Sequence, residues 1–270
     1  MTAQKDQTAK FRSLHAKGSI LVLPNAWDAG SARLFEEAGA TAIATSSAAV
    51  AWSHGYADGE TLPVDILLRT VAEITRAVKI PVSVDSEEGF SADPAKVADY
   101  VLKLVELGAV GMNLEDGRAP VDLMEAKIAA IKQAVSKKGA DFFINARTDV
   151  YLKQLTAPEA ALDETLVRGA RYQKAGADGF FVPFLGDLDA LRKVVAKVDL
   201  PVNAIIFAKS PPVSELKAAG IRRVSAGAGT GRAALGAARR AAKELLEKGT
   251  YTAMFADHAG LPNLNELFAK

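Results

Sequence analysis

The sequence of 270 residues contains no cysteine. This absence excludes disulfide bonds, metal sites built on thiolates, and any mechanism that uses a thiol as nucleophile or acid. Histidine is also scarce, because the chain has three, and their spacing is not typical of a metal site or a catalytic triad (His15, His54 and His258). The chemistry of this chain therefore has to rest mainly on carboxylate, hydroxyl, amide and basic side chains.

An excess of one charge is missing as well. The chain has 33 Lys and Arg against 32 Asp and Glu, which leaves a formal net charge of +1. Such a balance supplies no general field for binding nucleic acid or an anionic lipid surface. No run approaches the roughly 18 apolar residues of a membrane span, and residues 1–19 lack the apolar core of a signal peptide. We expect a cytoplasmic protein that binds neither nucleic acid nor membrane.

Short apolar runs recur along the chain, with helical patterns between them. Most are nearly continuous in Val, Ile, Phe and Ala, as in strands that are buried on both faces of a parallel sheet. The runs are Ile20–Ala26, Thr41–Ser47, Val82–Glu87, Val110–Asp116, Phe142–Asp149, Gly179–Phe184, Val202–Ile206 and Arg222–Gly227. Strand-then-helix units repeated in this way predict an α/β fold, a (β/α)8 TIM-type barrel, with a doubly wound open sheet as the alternative.

Helix-start signals lie between these runs. Asp28 is predicted to cap a helix over residues 31–38, and Asp93 a later helix. Thr156 and Glu159 have the spacing of a capping box. These signals place a helix after several of the predicted strands.

No linker-like stretch interrupts residues 20–230. We therefore predict a single domain over residues 1–270, with residues 229–270 forming the last helix and a C-terminal extension. The extension is apolar enough to need a partner surface.

Acidic side chains are frequent at the predicted carboxyl ends of the strands, where a barrel of this kind carries its active site. Like charges so close together either hold protons or bind a cation. Oxygen ligands without His or Cys match Mg²⁺ above Mn²⁺ or Ca²⁺. For any single acid, helix capping or pairing with an arginine is the competing interpretation. It is weakest for Asp85, because the strand before Asp85 is apolar.

Arg147 also ends an apolar strand. Its planar guanidinium either offers a fork to a carboxylate or phosphate ligand, or pairs with Glu115 or Asp149. Ser46 and Ser47 either present backbone amides to an anion or simply allow close packing. The glycine-rich segment 227–232 has some features of a phosphate-binding loop but lacks the Lys-Ser/Thr of a P-loop.

Five segments in chain order together resemble the isocitrate lyase/phosphoenolpyruvate mutase superfamily: residues 24–33, 55–59, 84–90, 113–117 and 145–149. The match runs over nearly the whole chain. Members of that superfamily are α/β barrels that bind Mg²⁺ and a 2-oxo or 2-hydroxy carboxylate, and they make or break C–C or P–C bonds through an enolate. Their eighth helix is typically swapped between subunits. The resemblance therefore implies a homodimer or homotetramer in which residues 229–270 pack on a neighbour.

The resemblance also implies roles for individual residues. Asp85 is expected to be the direct ligand of Mg²⁺ (or Mn²⁺) and to lie at the substrate, while other carboxylates hold the waters of the metal: Asp58, Glu87 and Glu115. The substrate carboxylate is expected to meet one short segment and one cationic clamp: Ser46, Ser47, Ala48 and Arg147. Asn203 is a further, less specific substrate contact. The candidates for a direct part in catalysis are Asp58, Arg147 and Ser46.

Departures from the family pattern narrow the expected reaction. Glu87, Glu88 and Ser91 replace the usual residues around the metal, and the short loop 117–122 carries neither the lyase cysteine nor the gating Lys and Asn of the mutases. We expect an Mg²⁺-dependent lyase or decarboxylase that breaks a C–C bond in an oxaloacetate-like 2-oxo carboxylate. The alternatives are a P–C bond mutase or hydrolase, a related oxo-acid hydrolase or lyase with His54 or Glu88 as base, a 2-oxo-acid binding protein, and an oligomeric scaffold.

Overall fold

The computed structural model describes residues 2–256 and 258–269; Met1, Asp257 and Lys270, which the single-domain prediction includes, lie outside the described residues. Within the described part, nine short parallel strands form one sheet: β1 (Leu21–Leu23), β2 (Asn25–Ala26), β3 (Ile43–Thr45), β4 (Val82–Asp85), β5 (Gly111–Glu115), β6 (Phe143–Arg147), β7 (Gly179–Phe181), β8 (Val202–Ile205) and β9 (Arg223–Ser225). All eight predicted runs contain strand residues.

The sheet closes on itself through its first two strands. β1 and β2 are consecutive pieces of one extended segment that is interrupted at Pro24. β1 pairs in parallel with β9, whereas β2 pairs in parallel with β3. One segment therefore joins both edges of the sheet order β1-β9-β8-β7-β6-β5-β4-β3-β2. The predicted TIM-type barrel is confirmed, and the open doubly wound sheet is wrong.

Helices precede, separate and follow the strands. They are α1 (Thr2–Ser13), α2 (Ala29–Glu37), α3 (Ser47–Ser53), α4 (Val64–Ala77), α5 (Pro94–Glu106), α6 (Val121–Lys137), α7 (Ala161–Ala175), α8 (Leu188–Lys197), α9 (Val213–Ala218), α10 (Gly229–Lys248), α11 (Thr252–Phe255) and α12 (Leu264–Phe268). Short 3-10 turns cover Pro158–Ala160 and His258–Gly260. Of the described helices, none is both long and apolar enough to cross a bilayer.

The helix-start predictions are confirmed at two positions and wrong at a third. Asp28 caps α2 and accepts a hydrogen bond of 2.6 Å from the Ser31 amide, and Asp93 caps α5. The capping box predicted at Thr156 and Glu159 does not form, because α7 begins at Ala161 without a side-chain cap. The reason is Pro158, which forces Ala157 into extended backbone (φ −60°, ψ 144°) and so separates Thr156 from the helix.

Helix α1 covers the amino-terminal end of the barrel. Phe11 and His15 are almost fully buried, and the Phe11 ring packs against Phe143 at 5.3 Å between centroids. Arg12 ties the helix to the barrel wall through ion pairs of 2.7 Å to Asp141 and 2.8 Å to Asp178. This helix was not predicted from the sequence, since its polar composition hides the few residues that face the barrel.

The interior of the barrel is polar rather than filled with branched apolar side chains, which are usual in this fold. Asn113, Asn145, Asn203 and Arg223 are all buried and are linked to one another by side-chain hydrogen bonds. Because successive side chains of a strand point to opposite faces, residues two positions further along the strand also face inward. This rule brings the acids and arginine of the strand ends to the carboxyl end of the same interior.

Helix α10 packs little of its surface against its own barrel. Of its described residues only Gly231 is buried, and Leu235 and Leu246 are 52% and 84% exposed. A Cβ atom at Gly231 would lie 2.8 Å from the Ala49 Cβ, so glycine allows the start of α10 to lie against α3. Helix α10 begins at Gly229, and the single-domain assignment with its C-terminal extension stays a prediction, as does swapping between subunits.

Candidate active site

Asp85 lies at the carboxyl end of β4 with both of its carboxylate oxygens oriented by neighbours. Oδ2 accepts a hydrogen bond of 3.0 Å from the Ser47 amide, and Oδ1 lies 3.4 Å from the Asn113 Nδ2 donor. The Asp85 amide itself donates to Thr45 Oγ1 at 2.8 Å. The buried strand and these bonds hold the carboxylate in one orientation.

Two further acids lie close enough to Asp85 for its charge to affect their pKa values. Burial is the main cause that raises the pKa of Glu87 to about 7, and the charges of Asp85 and Asp58 raise it further. A 2.5 Å hydrogen bond from the Glu60 amide acts in the opposite direction and lowers this pKa. The pKa of Asp58, on an exposed turn, is raised first by partial burial of its carboxylate and then by Asp85. Negative charge is therefore crowded around Asp85.

Arg147 is fixed between two carboxylates. Its Nη1 lies 2.6 Å from Glu115 Oε2, and its Nε donates to Asp149 Oδ1 at 2.7 Å. The remaining nitrogen, Nη2, takes part in neither ion pair, and the guanidinium carbon lies 5.8 Å from the centre of the Phe181 ring. Burial raises the pKa of Glu115, and the charge of Arg147 opposes that rise. Arg147 is thus anchored by the pairing partners that the sequence analysis named as its alternative role.

Lys153 is a second cation at this end of the barrel, and the sequence analysis missed it. Its Nζ lies 3.2 Å from Asp149 Oδ2, 3.3 Å from Glu88 Oε1 and 3.8 Å from Glu115 Oε1. The residue lies in a turn six positions after Arg147, outside the strand ends on which the prediction concentrated. It connects the loop after β6 to the loop after β4.

Asp116, in contrast, is a structural residue. Its carboxylate accepts hydrogen bonds of 2.7 Å from Arg168 Nη1, 2.6 Å from the Tyr172 hydroxyl and 2.9 Å from the Asp149 amide. The side chain is fully buried on the way from β5 to α6. These partners satisfy the charge of Asp116, which leaves it no part in a metal site.

The predicted substrate-contact residues fall into two groups. Ser46 caps α3 and is buried next to Ala48, while the Ser47 amide meets Asp85, so this segment lies at the candidate site. Asn203 is fully buried inside the barrel, where its Nδ2 donates to Ala204 O at 2.8 Å and its Oδ1 accepts from Asn145. The structure therefore brings Ser46–Ala48 to the acids, whereas the side chain of Asn203 is already engaged in the interior.

Two weaker candidates have other contacts. His54 is exposed after α3, and its Nε2 lies 3.0 Å from Thr70 Oγ1. In the glycine-rich segment after β9, the Gly227 amide donates to Asn25 Oδ1 at 2.9 Å and the Thr230 hydroxyl to Asn25 O at 2.7 Å. That segment is bonded back to the barrel wall.

The donor set fits a hard divalent cation. Carboxylates are frequent in this region, and the nearby cations include Arg147, Lys153, Lys127 and Arg223. The acids of the region include Asp58, Glu60, Asp85, Glu87, Glu88, Glu115 and Asp149. Within residues 2–256 and 258–269, no group of three or more His, Asp or Glu is arranged to hold a metal ion directly. Glu115 faces Arg147 and Glu87 faces the Glu60 amide. The arrangement therefore fits a cation with Asp85 as its direct protein ligand and water between it and the other acids.

Comparison with known proteins identifies the family. A family model for phosphoenolpyruvate phosphomutase matches residues 11–246. An uncharacterized protein of Mycobacterium tuberculosis is 38% identical over 86% of this chain and 87% of its own length. A 2-methylisocitrate lyase of Aeropyrum pernix is 31% identical over 89% of this chain and 80% of its own. A solved structure from Burkholderia cenocepacia J2315 is 40% identical, with a TM-score of 0.85 over 92% of this chain and 100% of that one. The chain therefore belongs to the phosphoenolpyruvate mutase/isocitrate lyase superfamily.

Proposed function

We propose that this protein is an Mg²⁺-dependent enzyme that acts on a small 2-oxo carboxylate through an enolate, as a C–C lyase or decarboxylase with an oxaloacetate-like substrate. The observation that carries the proposal is the Asp85 carboxylate, which is fixed by Ser47 and Asn113 and is surrounded by acids with raised pKa values. A bound divalent cation would supply Lewis acidity toward the oxygens of a 2-oxo acid. Mn²⁺ is the expected substitute for Mg²⁺.

The residues of the chain divide the work of binding. Asp85 would hold the cation, and Asp58, Glu87 and Glu115 would accept hydrogen bonds from its waters. Arg147 faces the substrate carboxylate with Nη2, because Nε and Nη1 are already committed to Asp149 and Glu115. Pre-anchoring of the guanidinium reduces the side-chain entropy that is lost on binding.

The segment Ser46–Ala48, which follows β3, would contact the end of the substrate that lies next to the cation. Ser46 and Ala48 are buried there, and the Ser47 amide donates a hydrogen bond to Asp85 Oδ2. Small side chains at these three positions allow a planar carboxylate to approach the backbone closely. The segment and Arg147 would thus both contact a small acid, and Asn203 is buried inside the barrel.

The choice of C–C cleavage in an oxaloacetate-like acid rests on what the reaction demands of the protein. Cleavage of a hydroxy tricarboxylate needs a base at the hydroxyl and an acid for the departing carbanion. The chain has no cysteine for the second task, although a 2-methylisocitrate lyase is among its relatives. Loss of CO₂ needs no proton transfer at the leaving carboxylate. Decarboxylation therefore suits a site that has metal-binding acids but lacks the lyase loop.

The match to the phosphoenolpyruvate phosphomutase model favours a second candidate, a P–C bond mutase or hydrolase. The short segment between β5 and α6 lacks the Lys and Asn that the mutases use in this position; it carries Arg118, whose Nη2 donates a hydrogen bond of 3.1 Å to Lys153 O. We also propose that the enzyme assembles as a homodimer or homotetramer through residues 229–270. A cytoplasmic location stays a prediction.

A coupled assay for pyruvate tests the proposal. Metal-stripped protein with Mg²⁺ is expected to convert oxaloacetate to pyruvate faster than Mg²⁺ alone, and to cleave isocitrate and 2-methylisocitrate far more slowly. Asp85→Ala is expected to reduce the rate to the Mg²⁺ background. Oxaloacetate binding without turnover would instead support a binding protein, release of phosphate from phosphonopyruvate would support the P–C alternative, and rapid isocitrate cleavage would refute the argument from the missing cysteine.

A further inference from the structure

The side chain of Arg223 crosses the interior of the barrel beneath Asp85. Arg223 begins β9 and is 1% exposed, yet its Nη2 donates a hydrogen bond of 3.1 Å to Asn113 Oδ1 on β5. Three strands, β8, β7 and β6, lie between β9 and β5 in the sheet order. This bond therefore spans the barrel instead of joining neighbours.

This guanidinium is buried without an ion pair. Among the described residues no carboxylate forms a salt bridge with Arg223, and its Nε and Nη1 have no hydrogen-bond partner. The guanidinium carbon lies 5.8 Å from the centre of the Phe11 ring, a cation–π contact that brings no formal negative charge. Burial lowers the pKa of Arg223 to about 9, and the charge of Asp85 opposes the fall, so the group stays protonated at neutral pH.

A buried, unpaired cation is costly for the folded state, which makes the identity of its one polar contact informative. Asn113 Oδ1 accepts hydrogen bonds from two donors, Arg223 Nη2 at 3.1 Å and Asn145 Nδ2 at 2.8 Å. Two donors on the oxygen fix the amide so that its Nδ2 faces Asp85 Oδ1 at 3.4 Å. Without them the amide is held less firmly, and any rotation that brings its oxygen toward the negatively charged carboxylate removes the donor from Asp85 and adds a repulsion.

We propose that Arg223 is a positioning residue for Asp85: it fixes the Asn113 amide and thereby orients the carboxylate from below. The proposal rests on the proposed function, in which Asp85 holds the divalent cation. Asp85 is then oriented from two sides, by the Ser47 amide and by Asn113 backed by Arg223.

The positioning role and a purely electrostatic role predict opposite changes in metal affinity when Arg223 is replaced by a neutral residue. A cation below the site repels a second cation, so electrostatics alone predicts that a neutral residue at position 223 tightens metal binding. Loss of orientation weakens it, because partners that hold a ligating group typically contribute 10–100-fold, roughly, in metal affinity. The direction of the change therefore identifies the role.

The experiment is calorimetric titration of Mn²⁺ into metal-stripped full-length protein. It compares the natural chain with Arg223→Met, Asn113→Ala and the double variant, and near-ultraviolet circular dichroism reports folding. Arg12→Met is the matched control, since it removes a cation from the same end of the barrel and breaks two ion pairs but has no contact with Asn113.

Arg223→Met and Asn113→Ala are each expected to weaken Mn²⁺ binding about 10–100-fold. The double variant is expected to be no weaker than Asn113→Ala, because both changes break one connection. Arg12→Met is expected to stay within about 3-fold while losing stability. If Arg223→Met does not fold, Arg223→Gln is the second variant, because glutamine is neutral, keeps a polar group in the buried position and is too short to reach Asn113 as arginine does.

Unchanged or tighter Mn²⁺ binding in either single variant would overturn the positioning role, as would additive losses in the double variant. Absence of Mn²⁺ binding by the natural chain is a different result. It would remove the metal claim of the proposed function and the role of Arg223 together.

Discussion

At the scale of single residues, the partners of a carboxylate decide what it does. Asp85 receives one amide and one side-chain donor and is adjacent to other acids, so a cation would complete its surroundings. Asp116 receives an arginine, a tyrosine hydroxyl and an amide, so its charge is already satisfied. Both are aspartates at or just after a strand end, and the sequence favours Asp85 as a ligand without indicating what Asp116 contacts.

Asp116→Ala is accordingly predicted to affect stability and not metal binding. The change leaves the Arg168 guanidinium with its Glu164 contact but without Asp116, and it leaves the buried Tyr172 hydroxyl without its acceptor. We expect a loss of about 3–5 kcal/mol in the free energy of unfolding, the range for breaking a buried ion pair.

Urea unfolding measures this loss, and Asp93→Ala is the comparison. Asp93 caps α5 from the surface, so its removal is expected to cost about 0.5–2 kcal/mol. A loss at Asp116 no larger than that at Asp93, or loss of Mn²⁺ binding in Asp116→Ala, would show that the role of Asp116 has been misjudged.

The raised pKa of Glu87 predicts how the free energy of unfolding of the metal-free protein depends on pH. Its pKa is about 7 in the folded protein, mainly because of burial, against about 4.3 in an unfolded chain. The folded state therefore holds a proton that the unfolded state has released. The contribution of Glu87 to stability is full below pH 4.3 or so and is lost progressively as the pH rises to about 7, by up to roughly 3 kcal/mol.

Urea unfolding in EDTA at pH 5 and at pH 7.5 measures that contribution. We expect Glu87→Gln to lose less stability over this interval than the natural chain, because glutamine does not ionise. Identical losses in the two proteins would indicate that Glu87 is not held in its protonated form.

At the scale of elements, strand β5 carries both Asn113 and Glu115 and has no room for a side chain at its first residue. A Cβ atom at Gly111 would lie 2.6 Å from Phe143 O and 2.9 Å from Phe143 Cβ on the neighbouring strand. The backbone of β6 cannot yield without moving Arg147, which lies four residues further along the same strand.

Gly111→Ala is therefore predicted to destabilise the protein by about 1–3 kcal/mol or more and to weaken Mn²⁺ binding. Gly229→Ala is the control, since a Cβ atom there would meet nothing within 4 Å. Thermal unfolding and calorimetric titration measure the two effects. Equal behaviour of the two variants would mean that β5 and β6 can separate without cost to the site.

The helices and strands that were predicted correctly from the sequence are those whose signal lies in residues close together in the chain. Strands such as Val202–Ile205 are mostly apolar because both of their faces are covered, one by helices and one by the barrel interior. Asp28 and Asp93 mark helix starts because their side chains accept hydrogen bonds from the first turn of the helix. Thr156 failed because Pro158 changed the backbone between it and the helix.

The part of the candidate site that sequence could not supply depends on contacts between distant segments. Arg223 looks like one of two adjacent arginines at the start of a short strand, and nothing local indicates that it reaches Asn113 across the barrel. The role of Lys153 likewise depends on its contact with Glu88, which lies 65 positions earlier in the chain. Motifs and strand ends located the acids, whereas the tertiary fold determined which of them are partnered.

At the scale of the whole molecule, residues 229–270 present more apolar surface than a single chain covers. Leu246, Tyr251 and Phe255 are 84%, 60% and 54% exposed, and a groove between α10 and the barrel is lined by Trp27 and Leu235. Patches of this kind mark interaction surfaces. We therefore expect this segment to pack against a neighbouring subunit.

Truncation after Gly229 is predicted to give an aggregating or unfolded chain, because it uncovers Trp27 and Ala49 and removes the contact surface for a neighbour. Sedimentation of the intact protein is expected to give a dimer or tetramer. A well-behaved intact monomer, or a soluble and stable truncated chain, would contradict assembly through this segment.

The central claim is that Asp85 binds a divalent cation, and calorimetric titration of Mn²⁺ into metal-stripped Asp85→Ala tests it most directly. Glu88→Ala is the matched control, because Glu88 lies three residues further on in the same acidic region and pairs with Lys153. The account predicts reversible binding of a single Mn²⁺ by the natural chain, a loss of at least about 100-fold in Asp85→Ala, and a change within about 5-fold in Glu88→Ala. Equal, small effects in both variants would contradict a metal site at Asp85.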